Sequence, residues 1–450
     1  MRHSGFATEI FVPQNSSSRL TMLSRRRRFA FTVAGVLLVS MVIESISAIG
    51  LYYSFGAHES FEVLAEQQEW LSKSPRDAED SGVVVHPFTG WCIDPQVSQG
   101  DEAFGKKIPV NRLGFVDDQE TIQWRNDDRL VIGITGGSVA WQLSVGADTV
   151  IREVVKESPD FREREVIVLR IGQSGYKQPQ QLMTVNWLMA LGGEFDAIVN
   201  LDGYNELALT MAENYKRNIH TAYPRAWNVR MQELVDPRKS AARMRLLELD
   251  ASRQLNARCI RQAPWKWSFT ANAVWKLSDH LAQREKVDYT KELLENHLSR
   301  EGLPFVESGP IQQLADTDAV LNVAADLWLR ASIQMHRVLD GADIVYLHAL
   351  QPNLHHTGSK PISDEETILI GGADQTKSRA INSGYPLLLH RRSQLDEAGV
   401  SFLDLSTLFA DESRTMYVDR CCHLNQEGNR RLAVAIAVRL RELLEESISN

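Results

Sequence analysis

A three-layer, doubly wound α/β fold around a parallel sheet is what this chain predicts, on three observations. Short apolar runs recur from about residue 128 to 450: LVIGI (130–134), EVIVLRI (Glu165–Ile171), FDAIVNL (Phe195–Leu201), DIVYLHAL (Asp343–Leu350) and VSFLDL (Val400–Leu405). Amphipathic stretches separate them, at about 145–158, 178–192, 316–340, 384–398 and 425–447. Turn residues follow the strands, as in Thr135-Gly136-Gly137-Ser138 and Asp202-Gly203-Tyr204-Asn205. Strands without polar alternation are buried on both faces, which a parallel sheet covered by helices provides. Right-handed crossovers then wind the helices onto both sides.

The elements ahead of that domain read differently. Arg25 to Arg28 are four consecutive positive charges, and Phe29 to Phe55 follow with Glu44 as their one charge. A helix of ~20 apolar residues crosses the hydrocarbon, so residues 29–55 predict a transmembrane anchor with Tyr52 and Tyr53 at the far interface. Arginines before it and Glu59, Glu62, Glu66 and Glu69 after it place residues 1–28 in the cytoplasm and the rest outside. The large domain is therefore expected to be extracytoplasmic. A cleaved signal peptide is the rival reading, with Ser45, Ser47 or Ala48 as small cleavage-site residues. Residues 56–127 form a juxtamembrane spacer and a small β-rich lead-in, with turn residues around VVVHPFTGWCIDP and IPVNRLGFVDD.

Residues 207–315 break the strand–helix rhythm, being charged, helix-like and home to Trp227, Trp265, Trp267 and Trp275. They predict a helical cap inserted between the third and fourth strands. Packing inside the cap explains the tryptophans; a sugar-stacking or membrane-facing surface is the sharper alternative.

Composition narrows the function. The 450 residues are 43% hydrophobic and 24% charged with a net charge of −9, and no basic patch lies outside the N-terminus, which argues against nucleic acid. Cys92, Cys259, Cys421 and Cys422 show no metal-ligand spacing. No metal or cofactor is expected, and the disulfide state stays open.

Four segments fall beyond the carboxyl ends of the strands, where an open α/β sheet builds its sites. Ser138 follows strand one at the start of a helix, suited to a nucleophile with its own N–H free for an oxyanion; a helix N-cap or a phosphate loop is the alternative. Gly172-Gln173-Ser174-Gly175-Tyr176 follows strand two, offering the Gly175 N–H and a competing hydroxyl on Ser174. Asn205 follows strand three, as an amide donor or a turn residue. Asp419 and His423 precede the last helix, with Asn425 as its cap: a base for the serine proton and an acid to orient the ring.

Ser138, Gly175, Asn205 and His423, in that order, resemble the SGNH (GDSL-like) hydrolase family over residues 128–447, the insertion apart. Block one reads Gly136-Gly137-Ser138, with glycine where the family name has aspartate, and block three Gly203-Tyr204-Asn205-Glu206. The resemblance implies Ser138 as nucleophile, His423 as base, and an oxyanion hole of the Ser138 N–H, the Gly175 N–H and Asn205. The family spaces its acid three residues before the histidine; here Asp419 stands four before, with Arg420, Cys421 and Cys422 between. HPFTGW…NRLGF and LQPNLHHTGSK (Leu350–Lys360) also resemble membrane-anchored bacterial members. The function implied is an extracytoplasmic serine esterase acting on an acylated small molecule or cell-surface glycan. An O-acyltransferase with the same site and a non-enzymatic tethered binding module are the alternatives.

Overall fold

A computed structural model describes residues 25–55, 61–73, 82–98, 100–235, 237–298 and 305–449. The expected cytoplasmic segment before Arg25, and parts of the spacer at 56–60 and 74–81, lie outside them. The chain divides into two compact units: Met1–Ser74 with Leu247–Asp288, and Pro75–Leu246 with Tyr289–Asn450.

In the first unit, α1 (Arg25–Phe55) holds the apolar run, and α2 (Phe61–Lys73) follows. Residues Arg27–Ser54 of α1 are long and apolar enough to cross a membrane, with a mean hydropathy of 2.1. Its lower part is apolar all round rather than amphipathic, as Phe29, Val36, Leu37 and Met41 are all exposed.

The second unit opens with two small hairpins, β1 (Val83–His86) with β2 (Gly90–Ile93) and β3 (Asp101–Ala103) with β4 (Lys106–Ile108). The main sheet follows: β5 (Arg129–Gly136), α3 (Ser138–Gly146), α4 (Asp148–Val155), β6 (Glu165–Arg170), α5 (Gln180–Ala190), β7 (Ala197–Asp202) and α6 (Tyr204–Leu209). In the chain, helices α7 (Trp227–Val235), α8 (Pro237–Ile260), α9 (Phe269–Leu298) and α10 (Phe305–Ser308) come before α11 (Thr317–Asp340) and β8 (Val345–Leu350), and residues 247–288 of α8 and α9 belong to the first unit. Then come α12 (Asp364–Gly371), α13 (Gln375–His390), α14 (Arg392–Glu397), β9 (Ser401–Asp404) and α15 (Gln426–Ser449).

The five strands pair in the order β6-β5-β7-β8-β9, parallel at every step. Their composition explains the burial. Leu130, Val131, Ile132 and Ile134 of β5, Val168 and Leu169 of β6, and Ile198, Val199 and Leu201 of β7 are each at most 1% exposed. Each fully buried aliphatic of this kind contributes roughly 1.5–3 kcal/mol against its exposed state. Register aligns the carboxyl ends, with Gly136 opposite Leu201, Asp202 opposite Leu350, and Leu350 opposite Asp404. Chain leaving four of the strands therefore emerges along one edge.

The flanking helices bury one stripe each. Val320, Leu321, Ala324, Ala325, Trp328, Ala331 and Met335 form that of α11, whose start Asp316 caps by accepting from the Ala319 N–H at 2.8 Å. Leu432, Ala433, Ile436, Ala437 and Leu440 form that of α15. The helix expected over 384–398 is instead two, divided at Arg391. The Arg391 guanidinium turns inward to Asp326 at 2.7 Å and to Asn322 at 3.2 Å. The first helix begins at Ser138, well before 145, because Val139, Ala140 and Leu143 are buried against the sheet.

Candidate active site

The turn between β5 and α3 puts Ser138 at the first position of a helix whose flanking Gly137 makes no side-chain cap. A Cβ at residue 137 would collide with the amide nitrogen of Asn205, so only glycine lets strand-one and strand-three turns approach this closely. Among the described residues, no backbone or side-chain oxygen accepts from the Ser138 or Gly175 N–H. First-turn amides of a helix are open in this way.

His423 Nε2 lies 2.7 Å from Ser138 Oγ, and His423 Nδ1 lies 2.5 Å from Asp419 Oδ2. With the Nδ1–H donated to the carboxylate, Nε2 is left to accept from the serine hydroxyl. The four-residue offset of the acid does not separate the pair, and the backbone shows why. Cys422 takes a left-handed conformation at φ +66°, which absorbs the extra residue. Asp419 Oδ1 meanwhile accepts from the N–H groups of Cys421 at 2.8 Å and His423 at 3.2 Å. The loop is closed at its base by the Val418 N–H to the His423 carbonyl at 2.9 Å, and Asn425 Oδ1 caps α15 through the Gly428 N–H at 2.8 Å. Burial raises the Asp419 pKa, but the hydrogen bond and charge of His423 with the two backbone N–H groups outweigh it, leaving the carboxyl below its ordinary value of 3.8.

Two residues of the LQPNLHHTGSK stretch brace this loop, a role that no sequence pattern had assigned them. Asn353 Oδ1 accepts from the buried Cys422 thiol at 3.1 Å, and His355 Nε2 lies 3.0 Å from the Arg420 carbonyl. All four cysteines are free thiols; Cys422 packs as a small buried residue.

Gly175 sits at φ +87°, and a Cβ there would run into the side chain of Arg225, which pairs with Glu213 at 2.9 Å. The lead-in holds this loop in place. The Tyr176 hydroxyl donates to the Trp91 carbonyl at 2.5 Å with the rings edge to face, and the Gln173 amide donates to the Gly114 carbonyl at 2.6 Å. Asn111 shapes the NRLGF turn by accepting from the Leu113 and Phe115 N–H groups. Ser174 is exposed and has no histidine among its described hydrogen-bond partners.

Asn205 donates one amide hydrogen to the Tyr176 carbonyl at 2.8 Å, which aims the group across the strand-one turn and leaves its second hydrogen free to donate. Behind it, Glu206 is fully buried and ties strand three to strand two, accepting from the Gly203 N–H at 2.8 Å, the Gln178 N–H at 3.1 Å and the Gln181 amide at 3.0 Å. Burial first, and Asp202 second, push its pKa upward against those donors.

Ser138, Asn205, Asp419 and His423 are all partly exposed, so a small molecule can reach them. A second Ser–His–Asp group, unnoticed in the sequence, lies in the core. Ser332 Oγ is 2.7 Å from His348 Nδ1, and His348 Nε2 is 3.0 Å from Asp202 Oδ1.

No protein-family model matches the chain, and no curated protein matches it. One solved crystal structure aligns over 71% of this chain and 99% of its own at 12% identity, with a TM-score of 0.29, too low to carry any argument about fold or function.

Proposed function

We propose that the protein is a membrane-anchored, extracytoplasmic serine esterase of the SGNH kind, on a doubly wound sheet, acting on an acylated small molecule or cell-surface glycan. The observation that carries the reading is the continuous Ser138–His423–Asp419 chain of hydrogen bonds at 2.7 and 2.5 Å beside a strand-end turn. Support for the doubly wound arrangement is the strand order, in which β6 lies outside β5 and the later strands extend from β5's other side.

In the first half-reaction the Ser138 hydroxyl proton passes to His423 Nε2 while Oγ attacks the ester carbonyl carbon. The carbonyl oxygen becomes an oxyanion, stabilised by the Ser138 and Gly175 N–H groups and the free hydrogen of Asn205. Collapse breaks the ester bond, and the departing alkoxide takes the proton from His423. Water repeats the sequence, its proton going to His423 and its oxygen to the acyl carbon, and Ser138 is reprotonated as the acid leaves. Asp419 holds the ring and stabilises the imidazolium without taking the proton.

A fluorophosphonate probe tests this on the full-length protein. Wild type should label and Ser138→Ala should not, while retaining the wild-type melting profile. Label that persists in Ser138→Ala and disappears in Ser174→Ala would transfer the nucleophile's role to Ser174; no label on wild type would leave the fold without the chemistry.

A further inference from the structure

Within the first unit, the hairpin formed by residues 247–288 of α8 and α9 packs beside α1 and α2. Leu51, Leu64, Leu71, Ala257, Ile260 and Trp275 make one buried cluster. At its tip, Trp265, Lys266 and Trp267 form a single 3-10 turn, with Trp265 58% and Trp267 68% exposed. The Lys266 ammonium lies 4.9 Å from the centre of the Trp267 ring.

The tip is tied to the one charge in the apolar run. Glu44 accepts from the Ser268 hydroxyl at 2.5 Å and from the Thr270 N–H at 3.2 Å, and Ser47 meets Thr270 at 3.1 Å. Glu44 follows Arg28 by sixteen residues, which at 1.5 Å per residue is ~24 Å along a helix axis. The hydrocarbon is ~30 Å thick. With Arg28 at one boundary, Glu44 lies inside the far leaflet, a few ångströms short of the other boundary, and it fixes the tip at that depth.

The tip meets the conditions lipid imposes. Irregular backbone at that depth requires internal partners, and Asn272 supplies them, its amide donating to the Lys266 carbonyl at 3.3 Å and the Ser268 carbonyl at 2.9 Å. Gln68 in turn donates to Asn272 Oδ1 at 2.8 Å. The Trp267 and Ser268 N–H groups close on the Pro264 and Trp265 carbonyls. Paired tryptophans with a lysine between them match the interfacial belt, the ammonium reaching the headgroups.

We infer that the Trp265-Lys266-Trp267 tip is a membrane wedge, seated in the far leaflet of the bilayer that α1 spans. A charged carboxylate in a spanning helix is costly unless it is paired. Here it is paired with the first turn of α9, so anchor and hairpin enter the membrane as one unit. The inference rests on α1 as a span and extends it to a second segment.

The test uses the full chain reconstituted in phosphatidylcholine–phosphatidylglycerol vesicles with or without brominated acyl chains. Emission from wild type is compared with that of Trp265→Phe/Trp267→Phe. The emission that the double substitution removes should be the part lost to brominated lipid and spared by aqueous iodide. Difference emission quenched by iodide and untouched by brominated chains would overturn the wedge and leave the tip in water or against a protein partner. Because α1 contains no tryptophan, vesicle flotation reads the anchor separately. Flotation without bromine quenching sinks the wedge alone; failure to float sinks both.

Discussion

Two Ser–His–Asp groups stand among the described residues, and their surroundings are opposite in kind. In the core, Ser332 and His348 are 0% exposed and Asp202 is 2% exposed. Asp202 also accepts from the Trp328 indole at 2.7 Å and the Asn200 amide at 2.8 Å, while Ser332 meets the Tyr346 hydroxyl at 3.1 Å. This network satisfies buried polar groups where leaving one unpaired costs several kcal/mol. Its imidazole is also reversed, with the serine on Nδ1 and the acid on Nε2. At the sheet edge, Ser138 meets Nε2, and the turn around it leaves open N–H groups and partial exposure to solvent. Residue identity alone does not make a hydroxyl a nucleophile; access and donors for a developing negative charge do.

The largest effects should fall on the edge group and spare the core group. On the proposed mechanism both groups act in the transition state, so Ser138→Ala and His423→Ala should each lower kcat on short-acyl esters by ~10⁴ or more with little change in KM. Ser332→Ala should keep fluorophosphonate labelling. Labelling lost in Ser332→Ala but kept in Ser138→Ala would reverse the comparison.

Asp419→Asn follows closely. If the carboxylate orients the ring as its 2.5 Å contact indicates, kcat should fall on the order of 10⁴, about 5.5 kcal/mol of transition-state stabilisation. A tenfold loss would mean that the Arg420 to Cys422 loop, with its His355 brace, orients His423 without the acid, leaving a Ser–His dyad.

How far the sequence exposed these features follows from the range of the interactions. Unalternating runs such as LVIGI announce buried parallel strands, and the strand-end turns place Ser138, Asn205 and His423 on one edge, because period and turn chemistry are local. The four-residue spacing of Asp419 and His423 looked irregular because motif spacing assumes ordinary backbone; the left-handed Cys422 changes how far five residues reach. Ser332, His348 and Asp202 come from α11, β8 and β7, and only the packing of a helix on the sheet reveals them. The clustering of residues 247–288 with the N-terminal segment was equally hidden, since its ties to Glu44 span more than two hundred residues.

His348→Leu should separate stability from catalysis. It strips one donor from Asp202 and one of the two partners described for Ser332, at a cost of roughly 2–5 kcal/mol read as a lowered denaturation midpoint. The kcat of the protein still folded should stay within a few-fold of wild type. Unchanged stability, or a kcat loss matching that of His423→Ala, would contradict a structural role for the core group.

The smallest expected effect concerns pH. Asp419 is partly exposed, and its folded-state pKa lies below the 3.8 of the free side chain because of His423 and two backbone N–H groups. The unfolded chain therefore binds a proton at Asp419 before the folded one does as pH falls. The stability linked to this ionisation is fully present above the unfolded value and is lost as pH drops from 3.8 through the folded value. Subtracting the unfolding free energy of Asp419→Asn from that of wild type isolates it. The difference should shrink as pH falls through about 3.8, the ordinary value for aspartate, towards the lower folded value. A difference that stays flat as pH falls through this range would mean that the folded carboxyl is not depressed. The 2.5 Å contact with His423 would then be worth less to the folded protein than its geometry implies.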